Sequence, residues 1–550
     1  MEDNKNYTDE NGSSGINRRD LIKGLAGIPV LGALWYSAWQ KDAFAKSYEK
    51  EYANILGVQS APPPPSGSME GDVLKLGIIG VGIRGEQLMR AAGYATPEWL
   101  QEMKENAANN KHDLRYQTFL EQEKLNVRFT AIADVYEKNL QKGVRAATTE
   151  DNKPKTYIDY QDLLADPNVD AVIIATPDHL HAQQAIDTTK AGKHVYVEKC
   201  MTHTISETYQ LEEAVKSSKI VFQVGHQHRQ TESFLTAQNI IEQNLLGHIN
   251  LVQACTNRND DNGAWQYHID EDAGLGNIDW QRFLGPAPQI PFNAEHFFRW
   301  RKWWAYGTGL SGDLLTHDYD RINCILKMGI PTKVTASGGI YTHIDGREVP
   351  DVMQISMEFP DFYKGSSQNK GKEKGMTFLY SASLGNQFHR PTLLMGHDAT
   401  MELASGLTLF PDPRSTKYKN YLDDGTFSAD KPIYTYVPGN RNVDGVTSAT
   451  AKYFADKGLL YTYRGGKQVD STHLHVREWL SCIRHGDQPS CGIKEGFEEA
   501  ISAHMATLAY KTGKAASWDP QNRKINLAGG NYSNNDLDGF IRKSGSLIAI

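Results

Sequence analysis

Cysteine is scarce. Five residues in a chain of 550, and an odd number, make no disulfide framework. Cys482 and Cys491 stand close in the sequence, but spacing alone does not pair them. Positive charge is not in excess. Lys and Arg total 58 against 66 Asp and Glu, a net charge of −8, and no basic tail is present. That excludes nucleic acid as the main partner. The apolar share is only 39%, and 48 Gly and 22 Pro are ordinary for this length. A polytopic membrane protein, a collagen-like chain and a wholly disordered one are thereby excluded. No internal repeat is found. What remains is a chain long enough for about two to four domains.

The first 45 residues read as an address. Asn17-Arg18-Arg19-Asp20-Leu21-Ile22-Lys23 precede an uncharged stretch from Gly24 to Gln40, and Ala43-Phe44-Ala45 follows. A paired arginine, a moderate apolar region and a small-x-small site make a twin-arginine export signal. The expectation is recognition by the twin-arginine export machinery, cleavage after Ala45 and a periplasmic destination. Residues 46–72 form a linker or arm, because Ala61-Pro62-Pro63-Pro64-Pro65-Ser66 favours extended polyproline II backbone.

A nucleotide fold opens next. Val73 to Ile79 is a buried-strand pattern, followed at once by Gly80-Val81-Gly82-Ile83-Arg84-Gly85 and a helical segment from Glu86. Strand, G-x-G-x-x-G, helix is the context that a dinucleotide fingerprint requires. Gly80 permits the tight turn, Gly82 admits a pyrophosphate, and Gly85 lets helix and strand approach. Val127 to Ala133 reads as the second strand and ends at Asp134. A carboxylate there accepts ribose hydroxyls and repels a 2′-phosphate, which favours NAD over NADP. The polar segment between, Tyr94 to Asn126, reads as an insertion. A strand over Asp170–Ala175 leads to Thr176-Pro177-Asp178-His179-Leu180-His181, and His194–Val197 leads to Glu198-Lys199-Cys200. These alternations predict a doubly wound parallel sheet, with Asp134, Thr176, Pro177, Glu198 and Lys199 at its carboxyl edge.

At this point the sequence resembles the glucose–fructose oxidoreductase / inositol dehydrogenase (Gfo/Idh/MocA) family. The signs are Gly80-x-Gly82-x-x-Gly85, Ala175-Thr176-Pro177 with His181, Glu198-Lys199, and Gly309-Leu310-Ser311-Gly312-Asp313-Leu314-Leu315-Thr316-His317. The likeness spans roughly residues 73 to 515, with Cys200 where the family has proline. It implies an α/β chain: a Rossmann domain over 73–200, then an α+β domain over 201–520 with an open-faced, mostly antiparallel sheet. A C-terminal extension over 521–550 completes the layout. The uncovered sheet face implies a homo-oligomer. The family pattern also transfers catalytic roles to Lys199, Asp313 and His317.

Those three make chemical sense on their own. Oxidising a secondary alcohol sends a hydride to nicotinamide and a proton to a base. His317 can accept that proton. Asp313, four residues earlier, would share its helix face and orient it or hold a neighbouring hydroxyl. Lys199 would donate to the reacting oxygen. Gly80, Gly82, Ile83, Arg84, Gly85, Asp134, Thr176, Pro177, His181, Glu198 and Lys199 are the expected cofactor residues. His226, Arg229, Trp303, Trp304, Asp313 and His317 are the expected sugar residues. His179-x-His181 and His226-x-His228 have metal-like spacing, but a zinc site needs further ligands that the sequence does not identify, so no metal is assigned. The expected protein is an exported NAD-dependent oxidoreductase of a sugar or glycoside, its cofactor tightly bound. The rival readings are a glycosidase that oxidises its substrate transiently and a non-catalytic sugar- or nucleotide-binding protein.

Overall fold

The computed structural model describes residues 55–58, 67–111, 113–363, 375–436, 461–464 and 467–543. The export motif, the cleavage pattern at Ala45 and the proline run lie outside the described residues.

Six parallel strands form the first sheet: β1 (Leu74–Ile79), β2 (Val127–Ala133), β3 (Lys155–Tyr157), β4 (Ala171–Ile174), β5 (His194–Val197) and β6 (Phe222–Val224). Their order is β3-β2-β1-β4-β5-β6, the doubly wound order with its switch point between β1 and β4. β4, β5 and β6 are largely buried because both faces are covered, whereas the edge strand β3 is polar and largely exposed. Ala171 and Ile173 of β4 pack into one core cluster, Val172 and Ile174 into the other. The sheet runs past the expected boundary at residue 200, since Val195–Val197 pair with Phe222–Val224. The helix Ser471–His485 returns from far along the chain, and its Val476, Trp479 and Leu480 pack with Leu76, Ile78 and Leu88. The insertion carries two helices, Pro97–Asn109 and Arg115–Glu121; Thr96 caps the first by accepting the Trp99 N–H.

The second sheet has ten strands: β7 (Ile249–Asn257), β8 (Lys333–Gly339), β9 (Val352–Phe359), β10 (Met376–Ser383), β11 (Thr392–Gly396), β12 (Ala399–Leu403), β13 (Leu407–Pro411) and β14 (Tyr434–Tyr436), with β17 (Ala516–Asp519) and β18 (Lys524–Leu527). A separate hairpin pairs β15 (Tyr461–Arg464) with β16 (Lys467–Asp470). The large sheet is antiparallel except between β7 and β10. Along β10 buried and half-buried residues alternate strictly, so one face meets the core and the other faces outward. Helices Thr316–Leu326 and Ile493–Thr512 pack against the inner face. β18 and the helix Asn534–Arg542 lie beyond residue 520 and belong to this domain's fold. Among the described residues no helix is long and apolar enough to cross a membrane.

Candidate functional site

A cleft of about 1320 Å³ runs along the carboxyl edge of the first sheet and is closed by the second domain. Its first end is built by the turn after β1. Gly80 has φ +89°, and a Cβ there would stand 2.9 Å from the Ala175 carbonyl. A Cβ on Gly85 would fall 2.2 Å from the Gly80 oxygen, whereas one on Gly82 would meet nothing. Gly82 thus opens onto the cleft it lines. The helix Ile83–Ala91 starts there with no side-chain cap, so its first N–H groups are left for an anion. Asp134 Oδ2 accepts the Val81 N–H at 2.7 Å and Oδ1 the Tyr136 N–H at 2.8 Å. Burial outweighs these bonds and lifts the carboxyl to about 6. Asn139 also bonds the carboxylate, which borders the cleft wall. The bare helix end, the open glycine and this carboxylate fit a dinucleotide.

Other expected cofactor residues take more defined parts. Arg84 Nε donates to Glu198 Oε1 at 2.7 Å and Nη2 to Gln227 Oε1 at 3.1 Å. Arg84 and Glu198 are therefore a matched pair in the cleft wall. Thr176 Oγ1 donates to Gln184 at 2.7 Å, and Pro177 leads into the helix Asp178–Lys190. His181 also lines the cleft. It is buried, its Nδ1 is 2.7 Å from the Cys200 carbonyl and its Nε2 2.6 Å from that of Thr176. Both ring nitrogens tie the ends of β4 and β5 together at the cleft wall.

The reacting end lies where the two domains meet. Lys199 follows β5, and the Lys199–Cys200 peptide is cis. Lys199 Nζ donates to Asp313 Oδ1 at 2.6 Å and to the Asp313 carbonyl at 2.8 Å. Arg301 Nε donates to the same Oδ1 at 3.1 Å, and Trp265 Nε1 to Oδ2 at 3.1 Å. Burial works against the Asp313 charge, but Lys199 and Arg301 outweigh it and hold the carboxyl far below its ordinary range. Asp313 sits in a π turn, Ser311–Leu315, ahead of the helix Thr316–Leu326. Both Asp313 and His317 line the cleft, as the sequence implies. They do not bond each other among the described residues, because Lys199, Arg301 and Trp265 occupy the carboxylate. His317 instead turns Nδ1 inward, where it is buried without a partner. Burial, with Lys199, His226 and His228 close by, holds the ring well below its ordinary pKa, so it stands neutral.

Four expected sugar residues do not line the cleft. His226 and Arg229 are buried behind it. Arg229 Nε donates to Asp320 Oδ2 at 2.9 Å and Nη1 to the Ser490 carbonyl at 2.5 Å. Trp304 is buried with its Nε1 on the Glu348 carbonyl at 3.1 Å, and Trp303 stacks on His296 with ring centroids 3.9 Å apart. Core packing claims both indoles. From the same aromatic segment Trp300 and Arg301 reach the cleft, the guanidinium 4.1 Å over the Trp300 ring. Arg258 and Tyr267 also line it. No motif marks these two, and only the fold brings them in.

The chain is thus a two-domain protein, a nucleotide-type α/β sheet set against an open-faced β domain. Residues 74–226 match the family model described as "Oxidoreductase family, NAD-binding Rossmann fold". Levoglucosan dehydrogenase of Pseudarthrobacter phenanthrenivorans is 29% identical over 191 residues, which are 33% of this chain and 42% of that protein. The scyllo-inositol 2-dehydrogenase (NADP(+)) of Bacillus subtilis is 26% identical over 199 residues, 36% of this chain and 45% of that one. The chain thus spans less than half the length of these two curated relatives. A structure of levoglucosan dehydrogenase in complex with NADH superposes with a TM-score of 0.52 at 18% identity, over 80% of this chain and 97% of that one. Aldose-aldose oxidoreductase from Caulobacter crescentus complexed with glycerol gives 0.52 at 14%, over 81% and 99%. At these identities the structures establish the shared fold. Residues 74–226 are thus similar to the NAD-binding domain of the Gfo/Idh/MocA oxidoreductases.

Proposed function

We propose that the protein is an exported, NAD-dependent oxidoreductase that acts on a secondary hydroxyl of a sugar or glycoside. One observation carries the reading. Lys199, from the end of β5, and Asp313 and His317, from one segment more than a hundred residues on, line the same cleft as Gly82 and Asp134. Gly82, the amino end of Ile83–Ala91 and Asp134 would hold NAD, which when bound supplies the hydride acceptor. The chain's own part is to hold and deprotonate the alcohol. Lys199, oriented by Asp313, donates to the reacting oxygen. The hydroxyl proton must leave as the hydride goes, and the neutral His317 ring at the cleft is the group placed to take it. Trp300 and Arg301 offer an aromatic face and a hydrogen-bond fork to a polyhydroxylated ring. Relatives named for levoglucosan and scyllo-inositol support that class of substrate. The paired arginines at Arg18 and Arg19 support export, and the outward face of the large sheet supports assembly with a second copy.

The test is a panel of free sugars and aryl glycosides given to the full-length protein with NAD or NADP. Formation of reduced nicotinamide with a keto-sugar product, faster with NAD, is the expected result. Aglycone release with no net reduced nicotinamide would move the assignment to the glycosidase that oxidises its substrate transiently. Failure to bind either dinucleotide would end the reading altogether.

A further inference from the structure

Directly behind His317, away from the cleft, lie His226 and His228. We propose that His226, His228 and His317 bind a divalent transition-metal ion of the zinc class, with Asp320 and Glu499 as outer partners. The site does not depend on the sugar or the dinucleotide; it shares only the His317 ring with the cleft.

Four observations converge. First, one ring nitrogen from each of the three histidines lies within 4.8 Å of the other two. The ring centroids are 5.3 Å apart for His226 and His228, 5.7 Å for His226 and His317, and 5.8 Å for His228 and His317. Three imidazoles bound tetrahedrally at a Zn–N length of about 2.0–2.1 Å place their centroids roughly 5 Å apart. Second, Nδ1 of all three rings is buried and has no hydrogen-bond partner among the described residues. A polar atom left in that state is costly, and three of them in adjoining rings need a common explanation. Third, the opposite nitrogens of His226 and His228 are taken by carboxylates. His228 Nε2 stands 3.0 Å from Asp320 Oδ2, and His226 Nε2 meets Glu499 Oε2. A carboxylate accepts, so in the neutral His226 and His228 rings Nε2 carries the hydrogen and Nδ1 is left bare. That is the carboxylate–histidine arrangement by which proteins orient metal-binding imidazoles. Fourth, the charges leave room for a cation. Asp320 and Glu499 are opposed within the cluster by Arg229, which donates to Asp320. Asp320 Oδ2 also lies 4.0 Å from His226 Nδ1, close enough to serve the ion directly or through water.

Neutral imidazoles with carboxylates suit zinc and its transition-metal neighbours, and do not suit magnesium or calcium. His317 would connect the ion to the cleft.

The experiment measures metal in the untagged full-length protein by mass spectrometry, then titrates metal-stripped protein with zinc alone. Cofactor binding is followed in parallel by nicotinamide fluorescence. The expected result is about one ion per chain and a melting temperature that rises with zinc. His228→Gln should lose the ion, and Glu499→Gln should weaken it by about 10–100-fold. Lys199→Ala should keep the ion while turnover falls. Should either histidine-site variant fold poorly, the wild-type zinc titration and the Lys199→Ala protein still decide the matter. A stripped wild-type protein that binds NAD but takes up less than about a tenth of an equivalent of zinc overturns the proposal. Zinc uptake without dinucleotide binding would sustain the metal site and defeat the oxidoreductase reading instead.

Discussion

On the cleft side of the His317 ring every charge has its counter-charge: Asp313 is met by Lys199, Arg301 and the Trp265 indole. On the inner side, a few ångströms away, three ring nitrogens have no hydrogen-bond partner among the described residues. Both clusters are buried and both mix cationic, acidic and aromatic groups. The difference is that the first is complete as a set of protein groups and the second is not. A complete ionic cluster can be preorganised before any ligand arrives. An incomplete one marks a place where something else belongs.

The sharpest way to break the comparison is to spoil the complete cluster. Asp313→Asn leaves Lys199 and Arg301 facing a neutral amide, with Lys199 side-chain exposure at 9%. Uncompensated buried charge of this kind costs about 3–5 kcal/mol. Arg301 is more open, at 25%, and solvent screens its share, so the lower end of that range is expected in urea unfolding. Turnover should be lost as well, because Lys199 loses its orientation. Lys199→Ala removes one donor from the reacting oxygen and is expected to lower kcat by about 10²–10³-fold. Its dinucleotide affinity should stay close to wild type, measured by fluorescence titration. Loss of both binding and turnover would show that the lysine holds the cofactor and not the reacting oxygen.

How much of this was legible in the sequence follows the nature of the signals. The first sheet is legible because its cues are local: an apolar run, a glycine turn and a helix within a dozen residues. The long strands of the second sheet are legible from alternation, as in Met376–Ser383. β13, β14, β17 and β18 are not, because each has only three to five residues and takes its identity from its neighbours in the sheet. Lys199, Asp313 and His317 can be read from a family pattern. Their partners cannot: Trp265 and Arg301 reach Asp313 from 48 and 12 residues away. The His226-x-His228 spacing was visible, but its third histidine, Asp320 and Glu499 come together only through the helices Thr316–Leu326 and Ile493–Thr512. The same limit misplaced Trp303 and Trp304. Composition shows an aromatic segment, and only packing shows which rings face in.

That last distinction can be measured. Trp300 lines the cleft while Trp304, four residues on, is 1% exposed. Trp300→Ala is expected to raise KM for the sugar by about tenfold with little change in stability, the loss of one stacking and cation–π surface worth about 1–1.5 kcal/mol. Trp304→Ala should do the reverse and appear mainly as a lowered unfolding midpoint. Equal effects of the two variants on KM would mean that the aromatic segment moves as one body.

The gentlest perturbation is pH at the far end of the cleft. Asp134 is raised from its ordinary value to about 6, with burial as the leading cause. A raised carboxyl takes up a proton in the folded chain before it does so in the unfolded one. The folded state therefore gains relative stability from this group as pH falls from about 6 toward 4, and the gain is absent above 6. Cofactor binding moves the other way. Ribose hydroxyls donate to the ionised form, so dinucleotide affinity is expected to weaken as pH drops through about 6, by roughly tenfold per unit at most. Asp134→Asn should flatten that dependence and reduce the preference for NAD over NADP, because the charge that repels a 2′-phosphate is gone. Binding titrations at four or five pH values decide it: a wild-type slope that survives in the Asn variant would place the titrating group elsewhere in the cleft.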